Sequence, residues 1–256
     1  MKVDFGKTAS DYRRHRAGFP DAYFARVAQY GIGVSTQTLL DLGTGTGTLA
    51  RGFAHRGCRV TGLDPSAAMM AQARLTDREE GVQIDYLEAG AEESGLPDES
   101  FDVITAGQCW HWFKRERAAS EAKRMLRPLG ALVISHFDWL PATGNIAAAS
   151  EAMIRRHNPQ WNMGDGKGIY PQWFSDLMDA GFVGIESFSF DVDVRYSHEA
   201  WRGRLRASAG IAASLDNPAI ERFDVELAAM LAADFPEPVL AIPHRVFTVL
   251  GRKPQA

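Results

Sequence analysis

The chain has 256 residues, 45% of them hydrophobic and 23% charged, with a formal net charge of -4. This length suits one α/β domain with inserted elements, and the acidic balance offers no basic field to a nucleic-acid backbone. Two cysteines without metal-ligand spacing, a polar start and no membrane-length apolar run point to a cytoplasmic protein with no metal and no membrane contact.

Residues 1–20 are polar and aromatic and are expected to begin irregularly; Ala22–Tyr30 then carries apolar residues at helical spacing. Thr38–Leu42 reads as a buried strand, followed by Gly43, Gly45 and Gly47 on alternate positions and a helix over Thr48–His55. Cys58–Leu63 is a second strand ending in Asp64. Asp64 or Ser66 caps a helix over Ala67–Arg74, with Pro65 tolerated beside its first turn. Val82–Glu88 and Phe101–Ala106 are the third and fourth strands. Lys114–Met125 is a charged amphipathic helix that stops before Pro128, and a Leu129-Gly130 turn leads into a fifth strand, Ala131–Phe137.

This strand–helix alternation predicts a doubly wound, mostly parallel sheet. After Phe137 the rhythm changes: helices are expected at Ile146–Arg156, Gln172–Asp179, Ser197–Ala213 and Pro218–Ala233, and strands at Val183–Val194 and Arg245–Gly251. With no repeat and no low-complexity linker, the chain reads as a single domain. Residues 1–37 form a lid and helix, 38–137 a cofactor-binding core, and 138–256 a substrate cover with the final strands.

Glycine is required where φ is positive or a ligand presses on the backbone, so the three glycines suggest a loop touched by a bound molecule. Asp64, about twenty residues further on, suits the hydroxyls of a ribose. Two cofactors fit these letters. Gly45-Thr46-Gly47-Thr48-Leu49-Ala50 matches a dinucleotide fingerprint, but the Asp41 carboxylate beside the loop would repel a pyrophosphate. The same carboxylate would attract the amino or sulfonium end of S-adenosylmethionine, and it also suits capping of loop N–H groups.

Leu39–Ala50, Val60–Ala68, Ala91–Phe113 and Arg124–Ser135 resemble, in order and spacing, the motifs of class I S-adenosylmethionine-dependent methyltransferases. Phe5–Tyr12, Arg16–Pro20 and Gln108–Phe113 are similar to the small-molecule branch that includes the trans-aconitate methyltransferases. The resemblance implies a seven-stranded α/β sheet with an antiparallel final strand, helical substrate-cover insertions, S-adenosyl-L-methionine as cofactor and a small-molecule methyl acceptor. It places Gly43, Thr44 and Gly45 at the methionine end with Asp41 orienting it, and Asp64 on the ribose. Pro65 and Met69 would flank the adenine, with Ala91 and Glu92 at its edge, where Gly90 replaces the family's common Asp. Gln108 would line the methyl-transfer face, Tyr12 would act as a lid and Arg16 as a carboxylate clamp.

A hydroxyl or amine acceptor needs a base, whereas a carboxylate needs none. His111 and His136 are the candidates, each near neutrality in free pKa, His111 in the segment after the fourth strand and His136 at the end of the fifth. Ordering of a loop is the competing role for His111. An arginine of Arg202–Arg206 would suit an acidic acceptor. Trp139, Trp161, Tyr170, Trp173 and Trp201 are expected to pack in the cover or line an apolar pocket, with His157 and His244 solvated. An NAD-dependent oxidoreductase and a non-catalytic cofactor-binding module are the competing readings, and the oligomeric expectation is a monomer or homodimer.

Overall fold

The computed structural model describes residues 13–15, 17–212 and 214–255. Tyr12 and Arg16, the expected lid and clamp, lie outside the described residues. After α1 (Asp21–Ala28) come β1 (Thr38–Leu42), α2 (Thr48–Ala54), β2 (Arg59–Leu63), α3 (Ala67–Glu80) and β3 (Asp85–Leu87). Then follow β4 (Phe101–Gly107), a 3-10 turn (Trp110–Trp112), α4 (Arg115–Met125), β5 (Leu126–Trp139), α5 (Ile146–His157) and α6 (Gln172–Asp179). The chain continues through β6 (Val183–Tyr196), α7 (His198–Arg206), α8 (Asn217–Asp234) and β7 (Leu240–Arg252).

Among the described residues seven strands form one sheet in the order β3-β2-β1-β4-β5-β7-β6. β3 to β5 run parallel, with Leu39 opposite both Val60 and Val103, while β7 and β6 are antiparallel. The order reverses between β1 and β4. Loops leaving the carboxyl ends of these two neighbours therefore diverge and open a crevice, the usual ligand position in such sheets.

Local chemistry sets the element ends. Ser66 Oγ accepts from the Met69 N–H at 3.4 Å and starts α3, and Gly81 at φ 68° ends it. β3 spans three residues rather than Val82–Glu88, as suits a strand at the sheet's edge. β5 starts earlier than expected: Phe101 faces Leu126 but Val103 faces Ala131, so Arg127–Gly130 bulge outward, with Leu129 at φ 65°. Lys253 closes the bulge, donating its N–H to the Gly130 carbonyl at 2.8 Å. α7 ends at Arg206 rather than running on to Ala213; the Gly210 carbonyl beyond it accepts from Asn158 Nδ2 at 2.8 Å.

The chain divides into two compact units. One holds residues 18–137, 170–190 and 246–255, and the other holds 138–169 and 191–245. The first packs Leu40, Leu42, Ile104, Trp110, Trp173 and Phe247 together. The second is built on Trp161, Trp201, Phe223, Leu227 and Ile242. Within the second unit His244 is not solvated as expected: it is buried, and its Nδ1 bonds to the Ile242 carbonyl at 2.8 Å, because β7 begins at Leu240 and carries it inside. Arg202 and Arg206 both pair with Asp224 and with Glu199, whereas Arg204 is buried with its guanidinium over the Trp139 ring.

Candidate functional site

The loop after β1 is held from three sides. Thr44 donates its N–H to the Leu63 carbonyl at 3.0 Å, and Gly45 donates its N–H to Asp64 Oδ2 at 2.8 Å. Arg51 Nη2 donates to the Thr46 carbonyl at 2.9 Å. Arg51 is buried and pairs with buried Asp77, which also accepts from the Tyr86 hydroxyl at 2.8 Å. This Arg51–Asp77–Tyr86 network lies behind the loop. The sequence reading missed it, although an aspartate within an otherwise packed helix face was a visible signal.

The glycines serve different purposes. A Cβ at Gly43 would lie 2.9 Å from Cys109 Sγ, and one at Gly47 would lie 2.6 Å from the Tyr86 hydroxyl. Both are pressed against protein. At Gly45 the closest atom to such a Cβ is Met69 Cε at 3.4 Å, so this is the position of the three that leaves room for a ligand. All three have positive φ, which explains the alternating glycines without invoking a ligand at each.

Two acids border the loop. Asp64 is buried; its Oδ1 accepts from Ser66 N–H at 2.8 Å while Oδ2 takes Gly45 N–H, and burial raises its pKa against these bonds. Asp41 is 1% exposed and accepts from Thr105 Oγ1 at 2.7 Å. Burial pushes its pKa up to about 6, opposed by the Thr105 hydroxyl and the Ala50 N–H and reinforced by Asp64. Thr105, a polar residue in an apolar strand, was passed over in the sequence reading.

Met69 is buried beside Gly45, while Pro65 is exposed. Ala91 is buried, and half-buried Glu92 accepts from the Lys114 N–H at 2.8 Å, its other oxygen lying toward Gly90. Gln108 follows β4 with φ 61° and donates its N–H to the Ser135 carbonyl at 2.8 Å. A non-glycine residue in this region carries strain of about 1–3 kcal/mol.

Beyond Gln108 the motif splits by burial. Trp110 is fully buried and its Nε1 donates to Asp176 at 2.9 Å, whereas His111 and Trp112 are exposed. His136, at the end of β5, is 7% exposed. The two imidazoles come together, with ring centroids 5.3 Å apart. Tyr170 lies 4.9 Å from His136 and stacks on buried Trp173 at 4.4 Å. These two rings therefore belong to the unit of the sheet core.

Comparison with known proteins decides the family. A methyltransferase-domain family matches residues 40–134. An uncharacterized methyltransferase of Mycobacterium bovis is 33% identical over 197 residues, 70% of this chain and 76% of that protein. The chain belongs to the methyltransferase family. A ubiquinone biosynthesis O-methyltransferase of Pseudomonas paraeruginosa is 35% identical over 66% of this chain and 80% of its own length. In fold, the chain is similar to phosphoethanolamine N-methyltransferase 2 of Haemonchus contortus, solved with phosphomonomethylethanolamine and S-adenosylhomocysteine. That likeness has a TM-score of 0.60, with 20% identity, and covers 99% of this chain and 61% of the other.

As a member of this family the protein takes S-adenosylmethionine as its cofactor. Its loop fits that compound: Gly45 leaves space, and two buried acids suit a molecule with a cationic end and a sugar diol. Asp41, buried beside the loop, stands against a pyrophosphate and so against the dinucleotide reading. Among the described residues no helix is long and apolar enough to cross a membrane, and no group of three or more His, Cys, Asp or Glu residues could hold a metal.

Proposed function

We propose that this methyltransferase moves the methyl group to an oxygen of a small organic molecule, a carboxylate or a hydroxyl, by in-line displacement. The seat of the cofactor is carried by the bond from Gly45 N–H to Asp64, which ties the open point of the loop to the acid suited to the ribose, and the oxygen acceptor is supported by the likeness to a ubiquinone biosynthesis O-methyltransferase. Asp64 grips the sugar, Met69 and Pro65 flank the adenine with Ala91 and Glu92 at its edge, and Gly43, Thr44, Gly45 and Asp41 receive the methionine end. Gln108 borders the reacting groups, and His111 or His136 takes a proton from a hydroxyl acceptor. Holding two reactants aligned and dry supplies much of the acceleration, which suits a site whose acids are spent on binding.

Residues 138–256 supply the substrate cover, and Tyr12 and Arg16 the lid and clamp, as in the trans-aconitate branch the sequence resembles. The small-molecule acceptor is supported by the absence of a basic stripe for nucleic acid, and the protein works in the cytoplasm as a monomer or homodimer.

The test is transfer of labelled methyl from S-adenosylmethionine to a panel of organic acids, phenols and amines. Labelled esters or ethers are expected. Labelling confined to amines, or none at all, overturns the oxygen-acceptor reading, and cofactor binding without transfer favours a non-catalytic module.

A further inference from the structure

We propose that Asp176, on α6, is a positioning residue of the cofactor seat: it fixes Trp110 and so holds the turn after β4 against Gly43. The inference rests on the reading that Gly43 and its neighbours receive the methionine end of S-adenosylmethionine. It adds to that seat a residue from far outside the glycine loop.

The turn is gripped from two sides. On one side a single carboxylate oxygen, Asp176 Oδ2, accepts from Trp110 Nε1 at 2.9 Å and from Arg115 Nη1 at 3.2 Å. Trp110 opens the 3-10 turn and Arg115 opens α4, so one side chain ties down both ends of the segment between them. On the other side Cys109 Sγ donates to the Leu42 carbonyl at 3.1 Å. A Cβ at Gly43 would lie 2.9 Å from Cys109 Sγ and 3.1 Å from Phe113 Cζ. The residues flanking the turn therefore rest directly on the backbone of the cofactor loop. Trp110 and Phe113 pack edge to face at 5.8 Å, which joins the two grips.

Burial and chemistry explain why an acid stands at this point of α6. Trp173 and Leu177 of the same helix share a buried apolar cluster with Trp110, so hydrophobic contact already covers the turn. Such contact has no direction and leaves the indole free to rotate or slide. A hydrogen bond to one atom of the ring sets its orientation. Trp110 is fully buried, so its N–H requires an acceptor, and Asp176 supplies a charged one with its side chain only 14% exposed. Arg115 balances that charge.

A closely packed interior shifts as a body rather than compressing, so a displaced Trp110 carries Cys109 and Phe113 with it. Gly43 then moves too, and two residues on is Gly45, whose N–H is bonded to Asp64. Asp176 thus acts on the cofactor through Trp110 and the turn, without touching it.

The experiment measures S-adenosylhomocysteine affinity of the full chain by calorimetry, with a thermal melt for each variant. Asp176→Ala and Trp110→Phe are each expected to weaken binding by about tenfold, and the double variant by no more than Asp176→Ala alone, because both remove the same bond. Asp176→Asn keeps an oxygen for the indole and should stay within about twofold of the unaltered protein. Asp102→Ala is the control for lost stability. It removes bonds to the Thr38 N–H at 2.8 Å and to Arg127 at 2.7 Å, at the amino ends of β1 and β4, and should lower the melting temperature with affinity unchanged. Should Asp176→Ala fail to fold, Trp110→Phe carries the test, since it removes the donor and leaves Asp176 paired with Arg115. Unchanged affinity in these two variants, additive losses in the double variant, no rescue by Asp176→Asn, or equal weakening in Asp102→Ala overturns the inference while the cofactor seat stands. If Asp64→Ala also leaves the affinity unchanged, the seat itself is overturned.

Discussion

The backbone N–H of Gly45 donates to Asp64 Oδ2 at 2.8 Å, so the loop after β1 and the acid after β2 form one rigid unit. Asp64→Ala removes this bond and the one from Ser66 N–H. Each is charge-assisted, so stability should fall by roughly 2 kcal/mol and cofactor affinity by about a hundredfold. Calorimetry with S-adenosylhomocysteine reads the affinity, and an unchanged value contradicts the assignment of Asp64 to the ribose.

Asp41 gives the protein a pH signature. Its pKa is 3.8 in an open chain and about 6 when buried in the folded protein, so the folded state holds its proton more tightly. The stability due to this group is full below about pH 4 and is lost as pH rises through about 6, a loss of roughly 3 kcal/mol. A cation bound against Asp41 favours the ionised form. S-adenosylmethionine should therefore bind more tightly at pH 7 than at pH 5, and at pH 5, where Asp41 carries its proton in the free protein, binding should release it. Calorimetry in buffers of different ionisation enthalpy measures that proton, and Asp41→Asn should abolish the release.

Gly43 and Gly45 should respond differently to alanine. Gly43→Ala drives a methyl group into Cys109 as well as straining φ, and should lower stability by about 2–3 kcal/mol. Gly45→Ala meets no protein atom closer than 3.4 Å, so its stability cost is about 1 kcal/mol of backbone strain. It should nonetheless weaken cofactor binding strongly. Thermal melts paired with titrations separate the two, and equal effects of both variants on both readouts would refute the distinction.

Tyr86→Phe removes one hydrogen bond to Asp77 while leaving Asp77 paired with Arg51. A loss of about 1 kcal/mol is expected. Because Arg51 also holds the Thr46 carbonyl, cofactor affinity should fall by about threefold. An unchanged affinity with the same lowered melting point assigns the network to folding alone.

Much of the core was legible because it is local. Thr38–Leu42 is as expected, since a buried parallel strand is a short apolar run, and α3 starts at Ser66 because its hydroxyl caps the first turn. The bulge at Arg127–Gly130 was not, because it depends on pairing with β4 and on Lys253 from the far end of the chain. Gly43, Gly45 and Gly47 look alike in the sequence, yet Cys109, Met69 and Tyr86 give them three different surroundings.

The order of residues by itself determined the alternating strands and helices, the glycine loop and its two acids, because these follow from periodicity and from chemistry within a few positions. Only the tertiary structure decided that His111 and His136 meet, that Trp112 faces outward while Trp110 is buried, and that Tyr170 and Trp173 back the imidazoles. His111 meets His136, and His136 in turn meets Tyr170 and Trp173, and no local preference of the backbone can specify contacts made by sheet pairing and packing between such distant segments.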